Sequence, residues 1–389
     1  MKLAVVTNIL TPYRIPLFES LGKSTKACTV LLQARQEENR QWRLRPFSFH
    51  AEILPGLHLK PPGAEVSVHL NYGVLRRLRR LDPDVVLSGG FAPAHVAAFL
   101  YCKLSGKRYV QWGEFTLRDG AQSSRIKRGL RRLLISGADG CVASSKDAHD
   151  AFAQYGADPA SILTASMPFE AEELHERVGV CRLAHRESPA REQPSGPALL
   201  SVGQLIPRKG WDELFAIYRE VVKARPDTVL LIAGDGPCRV AYERLVREAG
   251  WSRVRFLGHL DEARLAEQFA LADLFLFPTR YDAYGLVLAE AMAAELPVVS
   301  SVHAAATRDL VEEGVTGYAI DPRDAEASAG TIVGLLALSG ERRRAIGRAA
   351  YERVRSCDTK PTADRMVRFL RTIVYGARRD GRRLAPPVR

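Results

Sequence analysis

Apolar positions along this chain come in short β-branched and aliphatic runs separated by amphipathic stretches, a rhythm that predicts parallel strands joined by crossover helices. In the first half the runs lie at residues 3–8, 29–33, 84–89, 108–112 and 140–144. In the second half the alternation is more regular, with runs at 198–203, 228–234, 254–258, 273–278, 297–301 and 317–320. Between the halves, residues 171–197 lose the rhythm and end in Pro, Ser and Gly, which reads as a linker or an exposed connection. The pattern predicts an α/β protein of two domains, residues 1–180 and 195–360, in keeping with 389 residues, a length that one core seldom serves. After Pro361, the apolar Met366, Phe369, Leu370 and Ile373 share one face of a helix predicted over 361–376, ahead of a basic tail.

Composition narrows the classes. No run approaches the roughly 20 uncharged apolar residues of a membrane-spanning helix. The N-terminal apolar run has no small-residue cleavage site, so the expected address is cytoplasmic. Six cysteines form no CxxC pair and nine histidines show no ligand spacing, so neither a metal nor another cofactor is expected. The net charge of +12 is uneven: residues 1–170 hold 23 Lys and Arg against 14 Asp and Glu, the remainder 33 against 30. Arg76, Arg77, Arg79 and Arg80 form one cluster; Arg125, Lys127, Arg128, Arg131 and Arg132 form another, on a segment whose Ile126, Leu130, Leu133 and Leu134 are expected to face inward. Such a helix is either an ordinary solvated face or a surface for anionic lipid or a polyanionic acceptor. No aromatic residues interleave with the arginines and no nucleic-acid motif accompanies them, so nucleic acid is not an expected partner.

The densest chemistry lies in LFLFPTRYDAYGLVLAEAMAAELPVVSS, a strand, a loop, a helix and a second strand. Gly285 stands at the expected helix start, where the N–H groups of residues 284–287, Tyr284, Gly285 and Leu286 among them, would meet an anion such as a diphosphate. Asp282 precedes this point, with Ala283 between it and Tyr284, and Glu290 follows a turn later. Glu290 is either an acceptor for two vicinal ribose hydroxyls or an exposed helix glutamate. Upstream, LLSVGQLIPRKGWDELF sets Gln204, Arg208 and Lys209 in a loop leaving a strand, where a cation can neutralise a diphosphate; the alternative is a charged surface loop. A third strand-to-helix junction, LLIAGDGPCRV, carries Gly234 and Gly236.

Taken in this order, the three stretches resemble the C-terminal domain of the family 4 retaining glycosyltransferases, the glycosyl transferases group 1, in their polysaccharide and glycoconjugate branch. The similarity spans about residues 198–321. The family's E-x7-E motif matches Asp282 and Glu290, with the first carboxylate one methylene shorter. Its Gly-Arg…Lys-Gly loop matches Gly203, Gln204, Lys209 and Gly210, with Gln204 where arginine is usual. AGDGP and the segment ending in His259 and Leu260 match the part that lines the nucleotide base.

The resemblance implies a GT-B fold, two Rossmann-like domains facing across a cleft, with the C-terminal helix crossing back to the N-terminal domain. It implies retaining, metal-independent transfer of a sugar from a nucleotide-diphosphate donor, a UDP-sugar first and GDP-mannose next. Lys209 would stabilise the departing diphosphate, Glu290 would hold the ribose and Asp282 would face the donor sugar. The expected acceptor is a saccharide, lipid-linked or part of lipopolysaccharide, reached by a protein peripheral on the inner face of the membrane. The alternatives are a soluble small-molecule acceptor, or a nucleotide-sugar binder without turnover.

In the first half, TNILTPYRIPLFESL lacks the glycines of a dinucleotide-binding turn, which argues against NAD. Tyr13 and Arg14 resemble the acceptor-side loop of the polysaccharide branch; a packed tyrosine and a surface arginine are the alternative. Many relatives place a histidine after an N-domain strand. Here Trp112 and Glu114 occupy that stretch, so the role is lost or passes to Glu114, and His95 is a second candidate.

Overall fold

The computed structural model describes residues 1–36, 44–59, 68–118, 124–187 and 194–376. The chain divides into two compact units, Met1–Glu170 with the segment from Cys357 onward, and Ala171–Ser356.

The N-terminal unit contains β1 (Lys2–Thr7), β2 (Ala27–Leu32), β3 (His50–Ile53), β4 (Gly56–Leu59), β5 (Val68–Asn71), β6 (Val85–Ser88), β7 (Arg108–Gly113), β8 (Gly140–Ala143) and β9 (Ile162–Thr164). Seven of these form one parallel sheet in the order β3-β2-β1-β6-β7-β8-β9, while β4 and β5 pair as a separate antiparallel hairpin. Near-continuous apolar strands such as Leu3–Val6 and Val85–Leu87 are buried because helices cover both faces, the usual condition of a parallel sheet. One face packs on helix Ile15–Ser24 and on the C-terminal helix Thr359–Tyr375, whose Ala363, Met366, Val367 and Leu370 join Leu3, Val5, Phe18 and Leu21 in a single core. The other face packs on Ala98, Phe99 and Cys102 of helix Pro93–Ser105.

The C-terminal unit contains β10 (Ala198–Val202), β11 (Val229–Ala233), β12 (Val254–Gly258), β13 (Leu274–Phe277), β14 (Val298–Ser301) and β15 (Gly317–Ile320), all parallel, in the order β12-β11-β10-β13-β14-β15. Helix Trp211–Ala224 presents Trp211, Leu214, Phe215, Tyr218 and Val221 to the sheet, at the three- and four-residue spacing of an amphipathic helix. Both sheets are laid out from a central first strand, two strands to one side and the rest to the other. This doubly wound order reverses between β1 and β6 and between β10 and β13, and ligands of such sheets bind beyond the carboxyl ends at that reversal.

Two expectations are corrected, and some elements were not foreseen. Residues 171–187, expected within a linker, form helix Ala171–Glu187 and pack against helices Glu262–Leu271 and Leu286–Ala293. Its only buried residues are Ala171, Val178 and His185, one every seven positions, too narrow a stripe to register as apolar rhythm. The basic segment does form a helix, Arg125–Ser136, but Leu134 and Ile135 are its buried residues, whereas Ile126 and Leu133 are 84% and 56% exposed. Strands β3 and β9 and the hairpin, each of three or four residues, were not expected at all.

Candidate active site

Because β10 and β13 are neighbours, the loops that follow them leave the sheet side by side at the reversal point. They are tied through backbone carbonyls that accept from backbone and side-chain donors. Arg280 N–H and the buried Thr279 hydroxyl both donate to the Arg208 carbonyl at 3.0 Å, and the Arg208 guanidinium donates to the Tyr281 carbonyl at 3.0 Å. Gly210 makes this approach possible: its φ is +74°, and a Cβ there would stand 2.0 Å from the Pro278 carbonyl oxygen. A third loop joins the pair, since Leu205 N–H donates to the Asp235 carbonyl at 2.9 Å and Gly203 N–H to the Ala233 carbonyl at 2.9 Å. The Lys209 stem lies across Gly203, and the Gln204 carbonyl accepts from the Trp211 indole at 2.8 Å.

Loop pairing brings Lys209 Nζ to 2.5 Å from the Asp282 carboxylate, with Arg208 Nη1 at 3.8 Å from the same oxygen. Two cations thus face one carboxylate, a local excess of positive charge. Beside them helix Leu286–Ala293 starts at Gly285, whose φ of +101° and close approach to the Phe277 ring exclude a side chain. No side chain caps this helix, while the Tyr284 N–H, expected to be open, points at Asp282 Oδ1 at 3.4 Å. Glu290 is the fifth residue of the helix and makes no hydrogen bond or ion pair among the described residues. Burial pushes its carboxyl up to about 7, with Glu262 adding a smaller push in the same direction. A half-buried acid with a raised pKa, beside paired cations and a helix N-terminus, makes Glu290 a candidate binding or catalytic group.

The structure thus gathers Gly203, Gln204, Arg208, Lys209, Gly234, Gly236, Asp282, Ala283, Tyr284, Gly285 and Leu286 at one edge of the sheet, with Glu290 one turn along the helix. His259 and Leu260 follow β12 at the far end of the sheet, His259 exposed and Leu260 partly so.

At the corresponding edge of the N-terminal unit, Arg14 ends a short 3-10 turn after β1. Its guanidinium donates to Thr7 Oγ1 and to Glu114 Oε1, each at 3.1 Å, and lies 4.6 Å from the Trp112 ring. Tyr13 flanks it at 5.8 Å. Trp112, expected to line an acceptor pocket, is buried in the core with its ring edge-on to Phe18. His95 is also enclosed: Nε2 faces the Gln33 amide nitrogen at 2.7 Å and Nδ1 the Ser88 hydroxyl at 2.9 Å, and desolvation lowers its pKa to about 3. It is a neutral structural group, which leaves Glu114 as the acidic side chain at this edge.

A family model, glycosyl transferases group 1, matches residues 186–353, which include every one of these C-terminal loops. That stretch of the chain is similar to the glycosyl transferases group 1. The chain is 29% identical to the glycogen synthase of Mycobacterium tuberculosis over 319 residues, 79% of the chain and 70% of that relative. It is 32% identical to the phosphatidyl-myo-inositol mannosyltransferase of Mycobacterium leprae over 208 residues, 52% of the chain and 54% of that relative. Among solved structures it resembles Anabaena HepE in complex with UDP and glucose, with a TM-score of 0.72 and 17% identity over 96% of this chain and all of the other. The glycosyltransferase WaaG of lipopolysaccharide biosynthesis aligns with a TM-score of 0.69 at 17% identity, covering 96% of this chain and all of WaaG. The fold of the chain is GT-B.

Sequence reasoning missed the brace behind the loop of residues 278–285. The Asp282 N–H donates to the His303 carbonyl, and the Ala305 and Ala306 N–H groups donate to the Asp282 and Tyr284 carbonyls. The available signal was topological: β14 neighbours β13, so the loop after it must lie beside residues 278–285.

Proposed function

We propose that this protein is a retaining glycosyltransferase that moves a sugar from a nucleotide-diphosphate donor, a UDP-sugar in first place and GDP-mannose in second, to a saccharide acceptor. The Lys209–Asp282 pair beside the uncapped helix start at Gly285 carries the reading. A diphosphate arriving there would exchange the Asp282 carboxylate for phosphate oxygens as the partner of Lys209, with Arg208 and the helix N-terminus adding positive potential. Asp282, released, would turn to hydroxyls of the donor sugar, and the raised Glu290 carboxyl would accept from the ribose hydroxyls. Charge on the leaving diphosphate is thus stabilised by preorganised groups, so no metal ion is required. The leaving oxygen itself would take the acceptor proton on the same face, and Glu114, held by Arg14, would stand in for the N-domain histidine.

The structure of HepE with UDP supports a uridine donor, and the names of the mannosyltransferase and WaaG support a lipid-linked or lipopolysaccharide acceptor. Among the described residues no helix is long and apolar enough to cross a membrane. A cytoplasmic protein touching the inner face through the arginines of helix Arg125–Ser136, where Ile126 and Leu133 point outward, fits that acceptor. A soluble acceptor is the alternative. The tight Lys209–Asp282 contact also fits a non-catalytic nucleotide-sugar binder, because it leaves Asp282 engaged.

Thermal shifts with UDP, GDP, ADP, CDP and dTDP identify the base, since a ligand bound only by the folded state raises the melting temperature. Labelled nucleotide sugars then separate enzyme from binder. Release of nucleoside diphosphate with retained anomeric configuration is expected; saturable binding without release would establish the binder.

A further inference from the structure

The candidate site lies at the carboxyl ends of β10 and β13. At the amino ends of the same two strands the C-terminal unit holds a cavity of about 340 Å³, within the range of small-ligand pockets. Helix Ala171–Glu187 lines it with Arg182, His185 and Arg186, helix Glu262–Leu271 ends on it with Ala270 and Leu271, and Asp273 leads from it into β13.

One wall is cationic. Arg182, His185 and Arg186 stand three and four residues apart and so share a helix face. The Arg182 guanidinium donates to the Ala294 carbonyl at 2.5 Å and lies 3.5 Å from the Glu295 carboxylate. Arg186 is exposed and makes no ion pair or hydrogen bond among the described residues. Burial holds Arg182 below its ordinary pKa; Glu295 works against that shift and the Arg186 charge adds to it. The two guanidinium groups therefore repel, and an anion between them would turn the repulsion into two charge-assisted contacts.

The other wall accepts hydrogen bonds. Asp273 Oδ2 takes the Ala198 N–H at 2.9 Å and Oδ1 lies 3.8 Å from Arg343 Nη2, which leaves lone pairs on both oxygens. The Ala270 and Leu271 carbonyls close their helix and lie beyond the reach of its own N–H groups. His185 Nδ1 is 2.6 Å from the Cys181 carbonyl. A carbonyl only accepts, so Nδ1 carries the hydrogen, and Nε2 of the neutral ring is an acceptor that makes no hydrogen bond among the described residues. A bare anion would use the first wall and be repelled by Asp273, while a neutral sugar would use only the second. A phosphate ester with free hydroxyls matches both.

We propose that this cavity binds a hydroxyl-bearing phosphate monoester, its phosphate between Arg182 and Arg186 and its hydroxyls donating to Asp273 and His185 Nε2. The site is at the opposite edge of the sheet from Lys209 and does not depend on the nucleotide-sugar reading. Arg182 also holds the carboxyl end of helix Leu286–Ala293, so its loss would disturb that helix as well as the cavity. Arg186, exposed and unpaired, isolates the cavity. Isothermal titration of the full chain with ribose 5-phosphate, inorganic phosphate and ribose tests the proposal. Wild type is expected to bind ribose 5-phosphate saturably and about tenfold or more tighter than inorganic phosphate, with no measurable binding of ribose. Arg186→Gln should keep the wild-type melting temperature and weaken ribose 5-phosphate by about tenfold. Lys209→Ala, which removes a cation at the other edge, should leave that affinity unchanged. No saturable binding to wild type, wild-type affinity in Arg186→Gln, a loss in Lys209→Ala instead, or inorganic phosphate bound as tightly as the ester would each overturn the proposal.

Discussion

At the reversal point of the C-terminal sheet, two loops are locked together by hydrogen bonds to backbone carbonyls and by a glycine, and they present two cations, one carboxylate and a helix N-terminus. At the reversal point of the N-terminal sheet, with the same strand order, side chains do the tying: Arg14 spans Thr7, Glu114 and Trp112, one cation against one acid, above the neutral His95. The first edge carries surplus positive charge and the second balances its own. On the function proposed above, the shared doubly wound order would offer one edge to an anion and the other to a neutral, hydroxyl-rich partner, the division a sugar transfer needs.

Lys209→Ala is the sharpest way to break that contrast. Loss of a charge-assisted contact to diphosphate should cost about 1.5–3 kcal/mol, a ten- to more than hundredfold fall in both UDP affinity and transfer. Arg14→Ala should leave UDP affinity as it is while lowering transfer through Glu114. Isothermal titration with UDP on both folded variants decides the matter; equal losses would mean that the edges do not divide the work.

Backbone geometry offers the next largest effect. Gly210→Ala drives a Cβ to 2.0 Å from the Pro278 carbonyl in a left-handed conformation, whereas Gly89→Ala at the N-terminal edge meets Thr7 Oγ1 and the Val6 carbonyl at 3.4 Å. The first should destabilise by about 1–3 kcal/mol, lowering the melting temperature by roughly 2–4 °C per kcal/mol, and the second by less. Calorimetry that ranks the two in reverse would remove the glycine from the argument.

These contrasts also show what the sequence carried. The strands were legible because both sheets are covered on both faces and so write long apolar runs, and Lys209, Asp282, Gly285 and Glu290 were legible because the resemblance fixed their spacing. Helix Ala171–Glu187 was not, since Ala171, Val178 and His185 alone anchor it. The Arg14–Glu114 pair joins residues 100 positions apart, and no local pattern links them. Ile126 and Leu133 were misassigned because the buried stripe, Leu134 and Ile135 with Leu130 partly buried, is narrower than the apolar spacing suggests.

A smaller effect sets the two units against each other in pH. The folded pKa of Glu290, about 7, lies above its ordinary value, so the stability tied to its neutral form is present below about 4.5 and fades as pH rises through 7. The folded pKa of His95, about 3, lies below its ordinary 6.5, so its contribution is present above 6.5 and fades on acidification. Moving from neutral pH to about 5.5 should strengthen the C-terminal unit and weaken the N-terminal one, each by about 1–2 kcal/mol. Hydrogen exchange of β13 and β14 amides against those of β1 and β6 reads this, and Glu290→Gln should flatten the C-terminal response. A common direction in both units would contradict it.

The smallest expected effect is none, and it concerns metal. A divalent ion serves diphosphate chemistry by neutralising charge that the protein leaves uncovered. At the C-terminal edge Lys209 and Arg208 lie within 4 Å of a carboxylate that a diphosphate would displace, and the helix beginning at Gly285 adds roughly half a positive charge. That is about the compensation a departing diphosphate requires from its surroundings, whereas the balanced Arg14–Glu114 edge could supply none. Transfer should therefore proceed at the same rate in excess EDTA, and Lys209→Ala should be the variant in which added magnesium restores part of the rate. Complete loss of wild-type activity on chelation, reversed by metal, would show that the side-chain cations are insufficient and would move the origin of the compensation out of the C-terminal unit's own residues.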